Sequence, residues 1–139
     1  MKLSMAVTCD RAMVREGLLH ILGAGVTNTK MRLPSQLLMD VALMLQLDAA
    51  DGGSHSISLL LTHEDTGERI GQVKGQFLVP EDELAQDELP LPYIPLPIPL
   101  SGFVVAKSGF YAITVTLDDK ELTVLRIRVL EADDNSENF

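Results

Sequence analysis

Tryptophan is absent, only 4% of the residues are aromatic, and Cys9 is the one cysteine among 139 residues. A single cysteine excludes an internal disulfide and fits a reducing compartment. The core must therefore come from aliphatic side chains. Hydrophobic residues make up 46% of the chain, and one domain of this length buries roughly two thirds of its unfolded surface. Long apolar runs are missing as well. Leu37 to Leu47, the longest, is broken by Asp40 and Gln46 and falls well short of the roughly 18 residues that span a bilayer. The opening Met1-Lys2-Leu3-Ser4-Met5 lacks the unbroken apolar stretch of a signal peptide, and Thr8, Asp10 and Arg11 arrive too early. These absences predict a cytoplasmic protein with no membrane partner.

Basic residues are in the minority, with 11 Lys plus Arg against 20 Asp plus Glu and a net charge of −9. The excess is local. Glu81, Asp82, Glu83, Asp87 and Glu88 form one acidic run, and Glu131, Asp133, Asp134 and Glu137 form another. These 9 leave 11 acidic residues against 11 basic ones, so the rest of the chain is formally neutral. Such runs are ordinarily solvated and favour solubility, the functional alternative being an acidic docking segment. No basic stripe is available to neutralise phosphates, so nucleic acid is not an expected partner.

Catalytic signatures are lacking too. The chain has no Gly-x-Ser-x-Gly elbow, and Gly23-Ala24-Gly25 lacks the remainder of a dinucleotide fingerprint. Cys9 with His20 would supply a nucleophile and a base. Alternation, however, puts Cys9 on the apolar face of its strand, where a free cysteine behaves as a small hydrophobe. His20, His55 and His63 have no spacing that makes a metal site, and His63-Glu64-Asp65 falls at a turn where side chains diverge. The expectation is a non-enzyme with no catalytic residue, no cofactor and no metal.

What the chain does have is alternation. Leu3, Met5, Val7 and Cys9 share one face, and Val41, Leu43, Leu45 and Leu47 repeat the pattern. The same period runs through Ile57-Leu59-Leu61, Val73-Phe77-Val79, Tyr111-Ile113-Val115-Leu117 and Leu125-Ile127-Val129. A repeat of two is what a half-buried strand requires. Turn residues separate the runs at Asp51-Gly52-Gly53, Glu64 to Gly67, Lys107-Ser108-Gly109 and Asp118-Asp119-Lys120, and Gly23-Ala24-Gly25 suggests a bulge or sharp bend. The pattern predicts an all-β, antiparallel, immunoglobulin-like β-sandwich of about seven or eight strands. Residues 34–39 allow at most a short helical turn, with Ser35 as its cap; a full helix from Ser35 to Leu47 is the alternative. Residues 1–130 form the single domain and residues 131–139 an acidic, flexible tail.

Two further features bear on binding. Pro90 to Leu100 holds five of the seven prolines and contains Pro92-x-x-Pro95, a spacing found in polyproline II ligands. The structural alternative is an edge strand. Pro95, Pro97 and Pro99 are spaced by two, so their missing N–H groups all fall on one lateral edge, with Leu96, Ile98 and Leu100 turned to the core. Tyr111, just after a turn, is placed for the structural tyrosine corner of immunoglobulin-like domains. Alternation also assigns Met44, Leu60, Leu78, Phe110 and Leu130 to outer faces. With Pro92, Tyr93 and Pro95 they are the candidate interaction surface, since grouped exposed apolar residues mark partner surfaces.

The stretch from Cys9-Asp10-Arg11-Ala12 through Glu16-Gly17 to Gly23-Ala24-Gly25 resembles the opening of a family of small bacterial proteins, a domain of unknown function. Ser108-Gly109-Phe110-Tyr111 through Asp118-Asp119-Lys120-Glu121-Leu122 is similar to that family's last hairpin. The resemblance implies the sandwich and carries no catalytic residue with it. The reading is thus a non-enzymatic binding or assembly module that uses a sheet face for a protein partner or for itself, a twofold homodimer being the simplest closed form. The alternative is a small-ligand carrier or enzyme with a cavity between the sheets and His20 or His63 at its mouth.

Overall fold

A computed structural model describes residues 1–81 and 92–133, and every element in them is a strand. In chain order these are β1 (Lys2–Arg15), β2 (Leu18–Ala24), β3 (Asn28–Met31), β4 (Ser35–Gln36), β5 (Asp40–Gln46), β6 (Gly53–His63), β7 (Arg69–Val79), β8 (Tyr93–Pro99), β9 (Val104–Val105), β10 (Gly109–Leu117) and β11 (Lys120–Glu131). They form a four-stranded sheet ordered β2-β1-β5-β8, a five-stranded sheet ordered β3-β11-β10-β6-β7, and a small ribbon of β4 and β9. The all-β reading holds. The strands exceed the seven or eight expected, because β3, β4 and β9 are too short to show a period. The five-stranded sheet is also mixed, because β3 runs parallel to β11.

Both large sheets contribute to one core. Val41, Leu43 and Leu45 of β5 join Leu59 and Leu61 of β6, Tyr111, Ile113 and Val115 of β10, and Ile127 and Val129 of β11, all buried. Leu37, Leu100, Phe103 and Val105 belong to the same cluster. Only one face of each strand can reach it, which is why the alternation is so clear in sequence.

The first strand departs from its sequence reading. Its register against β5 shifts between Leu3 and Met5, so Leu3, Ala6 and Thr8 face Leu45, Leu43 and Val41, while Met5, Val7 and Cys9 face Met44, Ala42 and Asp40. The extra residue of this bulge moves Met5, Val7 and Cys9 off the core side. Cys9 and Ala42 are nonetheless fully buried. The β1–β2 hairpin leans over that side and touches β5 and β8, although other strands lie between them in the sheet. The Ala12 N–H donates to the Asp40 carboxylate (2.8 Å) and fastens the hairpin there.

Gly23 and Gly25, at φ of 66° and 89°, make the sharp bend that ends β2. The Thr8 carbonyl accepts from Gly25 N–H (2.8 Å) and Val26 N–H (3.0 Å), while the Thr8 hydroxyl donates to the Val26 carbonyl. The crossover to the other sheet is thereby tied to β1.

Residues 34–39 take no helical turn. Ser35 and Gln36 pair with Val105 and Val104, and Leu37 N–H bonds to the Phe103 carbonyl (3.0 Å). Leu37 and Met39 are buried while Leu38 is exposed, a period of two. The local helix formers lose to a partner strand that takes their backbone groups.

The proline-rich segment is an edge strand from Tyr93 to Pro99, paired among the described residues only with β5. Leu100 N–H donates to Met39 (2.9 Å), and Leu47 N–H donates to Pro92 (2.9 Å). Even-numbered residues therefore direct their backbone groups at β5, and Pro95, Pro97 and Pro99 direct theirs at the free edge. Ile94, Leu96 and Ile98 pack against the core. Pro90 and Leu91, the acidic residues 82–88, and the end of the acidic tail at 134–139 lie outside the described residues.

Candidate binding surfaces

The outer face of the five-stranded sheet carries the residues that alternation turns away from the core. Ser56, Ser58, Gln72, Lys74, Gln76, Thr116 and Asp119, with Ile57 and Gly75, line an open hollow of about 650 Å³. It arises because β6, β7 and β10 put short hydroxyl residues in the middle of the face and longer side chains on β7 at its rim. Hydroxyls and amides both donate and accept, so this lining suits a polar ligand surface.

At the other end of the same face Phe110 sits opposite Arg128 on the neighbouring strand. The Arg126 guanidinium lies 4.0 Å from the ring centroid and that of Arg128 5.5 Å. Arg126 also grips Glu64 with both groups of its fork, at 2.8 Å from Nη2 and 2.9 Å from Nε. Lys30 follows on β3, opposite Leu130.

The candidate interaction residues do not form one patch. Leu60, Phe110 and Leu130 share the outer face of the five-stranded sheet, each half-buried among its neighbours. Met44 and Pro95 lie side by side on the four-stranded sheet, with Met5 on the other flank. Leu78, Pro92 and Tyr93 come together with Leu47, Phe77, Val79, Pro80 and Ile94 around an apolar hollow of about 260 Å³. Leu78 and Tyr93 are 71% and 48% exposed.

The histidines fall into three settings. His55 directs Nδ1 at the Asp118 carboxylate (2.6 Å) and Nε2 at the Asp51 carbonyl (2.7 Å), with its ring stacked 5.5 Å from Phe77. Two acceptors on one imidazole favour the doubly protonated ring. The hydrogen bond to Asp118 raises the His55 pKa, and the same bond lowers that of Asp118. Asp51 in turn holds the N-terminal ammonium at 3.0 Å. Burial works to raise the Asp51 pKa, but the Asp48 N–H and the ammonium outweigh it and the net direction is down. This cluster joins the chain start, two loops and β6. It was missed in sequence because Asp118 lies 63 residues from His55.

His63 is buried, with Nε2 donating to the Ser108 carbonyl (3.0 Å) and Nδ1 accepting from the Thr66 hydroxyl (3.0 Å). Thr66 also accepts from Glu68 N–H (3.2 Å). All its groups are used locally, as in a structural histidine. His20 is exposed on β2 opposite Met13, whereas Cys9 pairs with Ala24 at the far end of that ladder. The Cys9 thiol donates to the Asp40 carbonyl (3.5 Å), and burial pushes its pKa up, with the charges of Asp40 and Asp10 adding to the effect. A thiol held protonated in this way is a poor nucleophile, and the two residues form no dyad. Among the described residues no group of three or more His, Cys, Asp or Glu converges to hold a metal ion. No described helix is long and apolar enough to cross a membrane.

A family model for a family of unknown function (DUF6941) matches residues 4–130. The chain belongs to that family. The family match runs from inside β1 to Leu130, next to the last residue of β11, so it takes in both sheets and every surface described above. No curated protein matches the chain. Among solved structures, a Pseudomonas fluorescens alkylpurine DNA glycosylase, AlkC, bound to DNA containing an abasic site analog, is similar at 9% identity with a TM-score of 0.43. The likeness covers 90% of this chain and 30% of the glycosylase. At that identity and overlap nothing of the glycosylase's chemistry transfers to the present family member.

Proposed function

We propose that the protein is a cytoplasmic, non-enzymatic recognition module, built as an immunoglobulin-like sandwich, that holds a partner protein on the outer face of its five-stranded sheet. The observation that carries this reading is the hollow of about 650 Å³ on that face, whose polar lining is made of hydroxyl, amide, amine and carboxylate groups. Such groups both donate to and accept from the polar atoms of a partner. The face also gathers Lys30, Arg69, Lys74, Arg126 and Arg128, five of the 11 basic residues in a chain of net charge −9, against Glu64, Asp119 and Glu121, of which Glu64 pairs with Arg126. An acidic partner surface is the complement.

Two features support the immunoglobulin-like assignment. The Tyr111 hydroxyl, at the start of β10, donates to the Lys107 carbonyl (2.5 Å), as in a tyrosine corner. The last strand, β11, is flanked by a short parallel strand, β3, from the start of the chain. The single cysteine, free and buried, fits a reducing cytoplasm.

The test is affinity capture with the full chain, followed by measured affinities for the protein retained. Gln72→Ala with Gln76→Ala, and separately Lys74→Glu, should each weaken binding at least tenfold with unchanged circular dichroism. Equal affinity for wild type and both variants would remove the outer face from the reading. A second reading, a carrier of a small apolar ligand, is favoured by the 260 Å³ hollow between Ile94 of one sheet, with Leu47 just past the end of β5, and Phe77 and Val79 of the other sheet. Native mass spectrometry showing a stoichiometric small molecule on freshly purified protein would decide for the carrier.

A further inference from the structure

The β1–β2 hairpin exposes more apolar surface than its packing explains. Its inner side holds Ala12, Leu19 and Ile21, half-buried, with Val14 43% exposed near the turn, whereas Met13, Leu18 and Leu22 on the other side are 46%, 64% and 69% exposed. Beside them β2 ends its sheet, paired among the described residues only with β1. Exposed apolar edges of this kind are templates for another strand, and proteins ordinarily guard them.

The other three sheet ends are guarded. β8 turns Pro95, Pro97 and Pro99 outward, β3 is only 4 residues long, and β7 carries Lys74 at its middle between Gly71 and Gly75. β2 has neither proline nor charge between Leu18 and Leu22. The hairpin turn fixes which backbone groups it offers. Glu16 and Gly17 have φ of 54° and 74°, a type I′ turn, so Leu18 N–H bonds back to Arg15. His20 and Leu22 then also face β1, and the N–H and C=O groups of Leu19 and Ile21 face the open edge.

The sequence of this edge, Leu18-Leu19-His20-Ile21-Leu22, reads nearly the same in both directions. We infer that the occupant of the edge is a second copy of this chain, joined by antiparallel β2–β2 pairing about a twofold axis through His20. Leu19 then exchanges both backbone hydrogen bonds with Ile21 of the partner copy, and the reverse. Leu18 comes opposite the partner's Leu22 on the outer side, so the most exposed leucines of the hairpin cover each other in both halves. Arg11 and Arg15 lie on β1, one strand back from the seam, and do not meet across it. A twofold pairing of identical patches is closed, so it produces a dimer and not a fibre. This seam lies on the four-stranded sheet and is separate from the face proposed for a partner protein.

Oxidative cross-linking of the full chain at pH 8 tests the register. In antiparallel pairing the central residues form a non-hydrogen-bonded pair with Cα atoms about 4.5 Å apart, within disulfide reach. His20→Cys should therefore give a dimer of twice the 15.2 kDa chain mass on mild oxidation. Leu22→Cys alone should not, because the two copies of residue 22 sit at opposite ends of the seam; Cys9 is buried in both. Wild type should elute as a dimer by light scattering, and Leu18→Lys with Leu22→Lys should elute as a monomer with unchanged circular dichroism. A wild type still monomeric at about 100 µM overturns the inference, since that excludes any dimer of micromolar affinity. So does cross-linking of Leu22→Cys but not His20→Cys.

Discussion

At the scale of single residues, most polar side chains inside this protein are fixed by one or two short bonds, and these give the sharpest expectations. Tyr111 is fully buried except for its claim on the Lys107 carbonyl, and burial raises its pKa. Tyr111→Phe keeps the ring and strands that carbonyl. It should lower stability by about 1–2 kcal/mol, read as a shift in the denaturant midpoint at constant slope. His55 gives a pH dependence whose sign follows from its partner. Its pKa is raised in the fold by Asp118, so its contribution is complete below about 6.5, the unfolded value, and fades as pH rises through the higher folded value. The Asp118 pKa is lowered, so its contribution is present above about 3.9 and fades as pH falls through the lower folded value. The stability difference between wild type and His55→Gln should thus be largest between about pH 4 and 6.5 and shrink toward pH 9. Asp118 is 47% exposed, so screening holds the pH-dependent part below about 1 kcal/mol. A difference that is flat with pH would show that the pair does not titrate with folding.

At the scale of elements, the proline edge and the long core-facing strands were the most legible parts of the sequence. The three outward prolines of β8 could be read from their spacing alone, because a missing N–H has only one tolerable direction in an edge strand. Val41, Leu43 and Leu45 were legible for a similar reason, since one face of β5 meets the core along its whole length. The first strand was not. A bulge at Ser4 leaves alternation intact on either side while exchanging the faces, so Met5, Val7 and Cys9 look like core partners of Leu3 and are not. Pairing between β3 and β11 joins residues about a hundred positions apart and leaves no local mark. The candidate surface suffered in the same way. Leu60, Met44 and Leu78 were recognised as outward, but only the sheet order separates Met44 from the other two, and only the packing at the end of β7 brings Leu78 to Tyr93. The β1–β2 turn offers a direct check. Glu16 occupies a left-handed conformation, φ 54°, that asparagine takes more readily. Glu16→Asn should raise stability by roughly 0.5–1 kcal/mol, seen as a higher thermal midpoint. No gain would mean that the turn relaxes in solution.

At the scale of the whole molecule, the two sheets hold separate surfaces but not separate cores. Leu43 of the four-stranded sheet and Val115 of the five-stranded sheet belong to one buried cluster, with the Leu37 and Phe103 loops closing it. Neither sheet can then lose its partner and keep its apolar face dry, which makes unfolding all-or-none. The absence of tryptophan makes this measurable, because the two tyrosines report on different sheets: Tyr93 on β8 and Tyr111 on β10. Tyr93→Phe leaves a fluorophore only in the five-stranded sheet, and Tyr111→Phe leaves one only in the other. Within each variant, tyrosine fluorescence and far-ultraviolet circular dichroism should give the same denaturant midpoint, whichever sheet is lit. Adding Leu43→Ala to either variant should move both probes together by about 2–5 kcal/mol, although the substitution lies in only one sheet. If Tyr93 reported an earlier transition than Tyr111, the four-stranded sheet would be unfolding by itself. Its hairpin and edges would then have to be treated as an independent unit, and the coupling of both faces through one core would be lost.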